Sequence, residues 1–575
     1  MTRSRWRMLL GILAVLGVFS IAVACGDDDD DKDTATQPPA GSSATAAPNT
    51  GGAPKGTITI RALQFESWDP HFSDFAQDIS HFYMVNRGLY MLDLQNKPQP
   101  ELADGMPKVS ADGKVYTIKL KSGLKWSDGQ PIKAEHFVAG IQRTCNPDVA
   151  GHYQFILDES VKGCHEYSAA GKEAADKKEQ LRAAMGVKAI DELTLEITLN
   201  QAQPTFTTIL TMWPTFPTPT HKVAKVDDKW PGPMESVYTG PFMPSKYTEK
   251  NSLELVPNPN WSGAAKPKVE KIVLRYIDDP AVATKAYRAG EIDATVLPAS
   301  EFPAVKADSN LSKELNQFPA TRTFGLAFNQ RAGQVGEKMD LRLALSQAVD
   351  RDAMNQVVFK GVQTPTTNWM PPDRSGLPLN AFKDQVGFNV SKAKESLSKA
   401  GYADGKGFPK LTLLLTDTTE NKDLGAFLKD QWKKNLNIDV DLEFVDSRTR
   451  STRYNTGDFQ LVIAGWQEDY PDPENWYIGL RETGGSINKE GCSLPALDEL
   501  IKKAKVNTND EERRKQYQEA EKLAVPNAQC NLPLWHVSAL RLVKPYITGM
   551  KESKRAGDTF VMGDWNPENW ATSKK

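Results

Sequence analysis

Across residues 410–465 the spacing of apolar positions changes period twice. "KLTLLLTD" (410–417) alternates as a strand does. In the stretch that follows, Leu424, Phe427, Leu428, Gln431 and Trp432 recur at spacings of three and four, with Leu436 one turn on. Ile438, Val440, Leu442 and Phe444 then alternate again. This order predicts strand, helix, strand. A crossover of that kind lays its strands parallel with right-handed chirality, which makes the region an α/β domain. "FQLVIAG" (459–465) predicts a further buried strand of the same domain.

Two helices precede this unit. "SKAKESLSKAG" offers Ser391 as N-cap, Ala393, Leu397 and Ala400 on one face and Gly401 as the stop. In "DLRLALSQAVDRDAM", Asp340 is the expected cap and Leu341, Leu345 and Ala348 form a stripe. The earlier part is richer in strands: "KVYTIKL", "LTLEITL" and "KIVLRYI" alternate or nearly so, and Ser127–Asp128–Gly129 supplies a tight turn. No period of 20 to 50 residues repeats, against a solenoid or propeller. At least two subdomains of different character are expected.

The N-terminus changes the picture of where the chain works. Arg3, Arg5 and Arg7 precede an apolar run over 8–24, ending Ala22–Val23–Ala24–Cys25. Basic, apolar and then small residues make an export signal. A retained transmembrane helix is the alternative, but the run falls short of the roughly 20 residues a bilayer requires. The ending resembles a bacterial lipobox, with Ala22 where the pattern favours Leu, so Cys25 is the expected acylated N-terminus. Residues 25–53 are Asp, then Thr, Ala, Ser, Pro and Gly, too polar to offset the entropy of folding, and read as a disordered tether.

Of the 575 residues, 70 are Lys or Arg and 73 Asp or Glu, and the two signs are interspersed. Nothing forms the basic face that nucleic acid requires. Cys145, Cys164, Cys492 and Cys530 are an even set in an exported chain, so disulfides are the default. Three pairings are possible, and the two short loops, Cys145 with Cys164 and Cys492 with Cys530, are favoured. A zinc site from Cys145, Cys164, His152 and His165 lacks CxxC or HxxxH spacing. No metal and no cofactor is expected.

An exported hydrolase is the rival of another class. There is no GxSxG elbow, HExxH helix or P-loop. SxxK occurs at Ser122, Ser391, Ser396 and Ser486 without an SDN triplet, and such abundance shows how weak the signal is. The chain is read as not an enzyme. What is concentrated is "AGWQEDYPDPENWY" (464–477), directly after the predicted 459–465 strand. Ligands of open α/β sheets collect beyond the carboxyl ends of strands. Trp466 and Asp469, at that mouth, are read as site residues, and Trp476 and Tyr477 as core beneath the loop.

The chain resembles solute-binding family 5, receptors of bacterial ABC importers for oligopeptides, dipeptides and some nickel or sugar ligands. It is most similar to the oligopeptide receptors. The resemblance rests on the segment beginning "NRGLYMLDLQNKPQPELADGMPKVSADGKVYTIKLKSGLKWSDGQPIKAEHF", then "TGPFMPSKY", "LVPNPNWSG", "YRAGEIDAT", "LRLALSQAVDRDAM", "GWQEDYP" and "LPLWHVSALRLVKPYITGM", in family order over nearly all of the body. It implies an α/β, bilobed periplasmic-binding-protein type II fold of three discontinuous domains with hinge-linked lobes. Lobe one would combine 54–89, 216–317 and 538–575, the extra domain 90–215, and lobe two 318–537.

The resemblance further implies a short peptide lying extended between the lobes. Gly465, Trp466 and Gln467 would supply one strand edge, Gln64, Phe65 and Glu66 the other, and Tyr470 would line the site. The peptide's ammonium would meet Asp469. Some family members carry an arginine two residues before the glycine of the Gly–Trp pair, where this chain has Ile463. Arg448, Arg450 and Arg453 are the nearby candidates for the ligand carboxylate, Arg453 best by position. The same fold could serve a metal chelate or an oligosaccharide. Partners would be the permease of an ABC importer and, through Cys25, the membrane, with the protein a monomer outside the cytoplasm.

Overall fold

Strands with one polar and one apolar face set the architecture. Thr57–Ala62 buries Ile58, Ile60 and Ala62 and pairs in parallel with Lys271–Tyr276, which buries Ile272 and Leu274. Both belong to an 11-stranded sheet. Its order runs from Asp441–Val445 through Thr412–Thr416, Leu461–Gln467, Leu315–Phe328, Asn531–Val543, Ala294–Val296, Thr57–Ala62, Lys271–Tyr276 and Ser252–Pro257 to Phe242–Thr248, with Thr364–Pro365 added beside Asn531–Val543. The computed structural model describes residues 54–93, 95–225, 229–528, 530–550 and 566–574. The expected signal segment 1–24, acylated Cys25 and tether 25–53 lie outside the described residues.

Two long strands carry this sheet from one lobe to the other. Leu315–Phe328 and Asn531–Val543 run antiparallel, pairing Leu315 to Pro319 with Leu542 to Ser538 and Thr323 to Ala327 with His536 to Asn531. Their register shifts between Pro319 and Thr323. One apolar core gathers Leu326, Leu345, Leu397, Leu428, Trp432, Trp476 and Leu534. Another gathers Phe82, Trp126, Phe137, Ile141, Leu195 and Trp213 under a small antiparallel sheet of Lys108–Val109, Val115–Lys119, Thr194–Thr198 and Val187–Asp191. A third holds Ile58, Ile60, Phe242, Leu255, Ile272 and Leu274. The whole is a two-lobed α/β fold with an extra domain. The Ser127–Gly129 turn forms, Gly129 donating to the Trp126 carbonyl at φ +89°.

The predicted crossover forms as strand Thr412–Thr416, helix Thr419–Leu436 and strand Asp441–Val445, and the two strands are parallel. The Thr418 hydroxyl caps the helix by accepting from Asn421 N–H, and Asn437, left-handed at φ 55°, ends it. Leu424, Leu428, Trp432 and Leu436 are buried on one face, each contributing about 1.5–3 kcal/mol. The Trp432 indole donates to the Leu345 carbonyl at 2.9 Å, fixing the helix against its neighbour.

Three local expectations are corrected. The Val390–Lys399 helix is capped by Asn389, extended at φ −162° and accepting from Lys392 N–H; Ser391 already lies in its first turn. Asp340 likewise sits inside the first turn of Met339–Gln347, where its charge suits the helix dipole but makes no cap bond. Ile438 and Val440 are buried in the connection before Asp441, so the apolar alternation marked burial ahead of the strand itself.

Candidate functional site

The Leu461–Gln467 strand runs directly into the loop that carries Asp469. On one side it pairs with Leu315–Phe328 along its whole length, from Phe328↔Leu461 to Arg322↔Gln467. On the other, Thr412–Thr416 pairs only as far as Val462. Its last residues therefore form a strand edge. Main-chain groups of successive residues turn to alternate sides. The Ala464 carbonyl points into the sheet, where Asn531 Nδ2 donates to it at 2.7 Å. The Ile463 carbonyl points the other way and accepts from the Arg450 guanidinium at 2.6 Å. Gly465, two residues on, presents its main chain on that same outer side. A Cβ at Gly465 would stand 2.1 Å from the Thr323 carbonyl oxygen, so close backbone packing demands glycine there.

Four acids follow in the loop, and their surroundings differ. Buried Glu468 forms an ion pair with Arg374, helped by Trp476 Nε1 at 3.3 Å; burial still pushes it up to about 7. Asp472 is gripped at both oxygens by Arg513, at 2.6 and 2.5 Å. Glu474 accepts from Gln203 Nε2 at 2.8 Å and Thr205 Oγ1 at 2.9 Å. Asp469 has no cation of its own among the described residues. Its Oδ1 accepts from the Tyr153 hydroxyl at 2.7 Å and its Oδ2 from Asn475 Nδ2 at 3.1 Å. Asn475 Oδ1 in turn accepts from Asp469 N–H at 2.8 Å and Trp466 Nε1 at 3.0 Å, which fixes the loop against the strand.

Burial pushes the Asp469 carboxyl up to about 6, against the lowering pull of its two donors. A carboxylate offers about four acceptor positions. This one is partly desolvated, holds two neutral donors and has no counter-ion among the described residues.

The other expected residues are distributed unevenly. Trp466 is half-buried beside Asp469. Tyr470 is a correction: at 2% exposure it is part of the core containing Phe206 and Leu210 and lines no open surface. Trp476 and Tyr477 are buried in the largest core, as expected. The second edge is also corrected, because the first strand ends at Ala62 and residues 64–66 are not a strand. Asp78 accepts the N–H groups of Glu66 and Ser67, both at 2.8 Å, and turns the chain. The Gln64 side chain accepts from Lys250 N–H, and Phe65 packs on Trp68 and Tyr247.

Arg453 is engaged by Glu443 at 2.6 Å and Asp458 at 3.0 Å, whereas Arg450 lies on the strand edge over the Tyr454 ring with no carboxylate partner among the described residues. Arg448 is exposed. Cys145 and Cys164 are brought together with Cα atoms 5.4 Å apart, and Cys492 and Cys530 at 5.2 Å. His152 pairs with Asp74 and His165 with Asp158, away from any shared cation position.

Two residues escaped the sequence reading. Tyr153 stands 316 positions from the carboxylate it touches, and no local pattern announces that contact. Asn475 could have been found as an amide placed within reach of the acidic loop's own backbone.

A two-lobed α/β fold with an extra domain, its large sheet running through both long strands, is the architecture of a solute-binding receptor. Residues 97–488 match the model for the middle region of bacterial extracellular solute-binding proteins, family 5, and the chain belongs to that family. It is a non-enzymatic receptor acting outside the cytoplasm, and no helix among the described residues is long and apolar enough to cross a membrane.

Among curated relatives it is 31% identical over 467 residues to the probable deoxycholate-binding periplasmic protein YgiS of Escherichia coli, covering 80% of this chain and 84% of that one. It is 29% identical over 521 residues to the periplasmic oligopeptide-binding protein OppA of Salmonella typhimurium, covering 89% and 93%. Among solved structures, the Escherichia coli murein tripeptide-binding protein MppA superposes with TM-score 0.78 at 25% identity, covering 91% of this chain and 99% of that one. Against the unliganded open form of MppA the TM-score is 0.69, so the arrangement here departs further from the open one.

Proposed function

We propose that this protein captures short peptides in extended form and delivers them to the permease of an ABC importer. One observation carries the reading: Asp469 is a partly desolvated carboxylate at the end of an open strand edge, held by two neutral donors and lacking any cation. A peptide ammonium supplies the missing charge, and Gly465 and Gln467 continue the sheet onto the peptide main chain. Arg450, whose guanidinium sits on the Ile463 carbonyl farther back along the same strand edge, replaces Arg453 as the candidate for the peptide carboxylate.

The relatives named for oligopeptides and for a murein tripeptide support this reading. The relative named for deoxycholate does not carry over, since that guest is an anion and would meet Asp469 with like charge. A glycan offers Asp469 only neutral hydroxyl donors and no charge to balance it.

The finer parts of the reading are that Cys25 is lipidated after removal of 1–24, that 25–53 is the tether, and that the receptor works as a monomer. The two close cysteine pairs are disulfides. The lobes are 54–89, 216–317 and 538–575 against 318–537, with 90–215 the extra domain and the hinge at the register shift near Pro319. Denaturing the purified protein and identifying what it releases by mass spectrometry tests the central claim: short peptides are expected, and a stoichiometric glycan, bile acid or metal chelate contradicts it.

A further inference from the structure

The loop that carries Asp469 also grips the far side of the groove. Tyr470 inserts its ring among Phe206, Leu210 and their neighbours in the core of residues 79–237. Glu474, fully buried, takes Gln203 Nε2 on Oε1 and Thr205 Oγ1 on Oε2, and both partners are nearly inaccessible. From its own side it meets only the Tyr470 hydroxyl at 3.4 Å and Arg513 at 3.9 Å, the latter already committed to Asp472. Lys505 adds an ion pair to Glu159 across the same gap.

A buried carboxylate is costly unless donors reach it, and here both close donors come from the opposite segment. Separation of the two segments hydrates Glu474, Gln203 and Thr205 together but leaves the Asp472–Arg513 pair intact. The contact therefore depends on the two segments being together.

We infer that Glu474 is a positioning residue for ligand capture: it latches the Asp469 loop to Gln203 and Thr205 and sets how slowly a guest leaves. It touches no ligand, so it governs departure and not encounter. The ligand arm of the test rests on the peptide reading above; a second arm does not.

The variants are Glu474→Gln, Gln203→Glu and the two together, which exchange donor and acceptor across one contact. Stopped-flow tryptophan fluorescence with tetra-alanine gives the rates, and small-angle scattering of ligand-free protein gives the radius of gyration. In each single variant we expect dissociation about tenfold faster with association within about twofold of the parent, and a larger ligand-free radius. The double variant is expected back within about threefold of the parent rate. Unchanged dissociation and radius in folded Glu474→Gln overturns the latch, as does a double variant no better than the singles. If the parent itself ignores tetra-alanine, the capture reading suffers, and the scattering comparison alone decides the latch.

Discussion

Tyr153 donates its hydroxyl to Oδ1 of Asp469 at 2.7 Å, joining residues 316 positions apart. The contact puts a neutral donor, and no cation, on a carboxylate that burial has raised to about 6. An ammonium guest changes that balance: the charged carboxylate becomes favoured, and the hydrogen bond from Tyr153 orients it.

Replacing Asp469 with Asn keeps shape and removes charge. A charge-assisted hydrogen bond is worth about 1.5–3 kcal/mol, so calorimetry should show peptide affinity falling about 10- to 150-fold. The unliganded thermal midpoint should hold or rise, because a partly desolvated carboxyl is lost. Tyr153→Phe should cost less, about 0.5–1.5 kcal/mol in affinity. Equal affinity of parent and Asp469→Asn would remove this residue from the site.

At the groove's other end the prediction separates two arginines. Arg450→Ala should weaken a free-acid peptide but leave its C-terminal amide almost unaffected. Arg453→Ala, whose guanidinium serves Glu443 and Asp458, should not distinguish the two. A reversed pattern in paired titrations would restore Arg453 to the role.

Stability against pH reflects two opposed sets of buried groups. Burial raises Asp78 and Asp469 to about 6 and Glu468 and Glu474 to about 7. Folded-state values above the unfolded ones mean that stability from these acids is lost as pH rises through 6 to 7 and regained on acidification. Burial also lowers His71, His81 and His136 to about 4 and His536 to about 3. Those histidines withdraw stability as pH falls below their ordinary value near 6.5. Calorimetric midpoints should climb from pH 8 to about 6.5, flatten toward 5 and drop below it. A steady decline from pH 8 downward contradicts this balance.

Reduction of the two cysteine pairs gives a further check. Loops of 19 and 38 residues predict about 3 to 4 kcal/mol each in the chain-entropy account. Non-reducing peptide mapping should recover Cys145 with Cys164 and Cys492 with Cys530, and a reductant should lower the unfolding midpoint. Free thiols in native protein would refute the pairing.

The parts of this molecule legible from sequence were those fixed by local period or by short loops. The 412–445 crossover was readable because Leu424, Leu428 and Trp432 share a helical face and Thr412–Thr416 is buried on both sides. The position of Asp469 just beyond a strand was readable because that strand is buried at its start. The cap at Asn389 was missed, since several polar residues compete at that helix start and tertiary packing chooses among them. Tyr470 looked like a binding aromatic and proved to be core, because its partners Phe206 and Leu210 lie far away in the chain. The 64–66 segment was misread for the same reason: Asp78, and not a neighbouring strand, takes its N–H groups.

The most direct test compares one peptide, once a bound one is known, with its N-acetylated form by competition calorimetry on the parent protein. Acetylation removes the positive charge and leaves the main chain intact. We predict affinity at least about tenfold weaker for the acetylated peptide, and no such difference in Asp469→Asn. Equal binding of both forms to the parent contradicts the central claim.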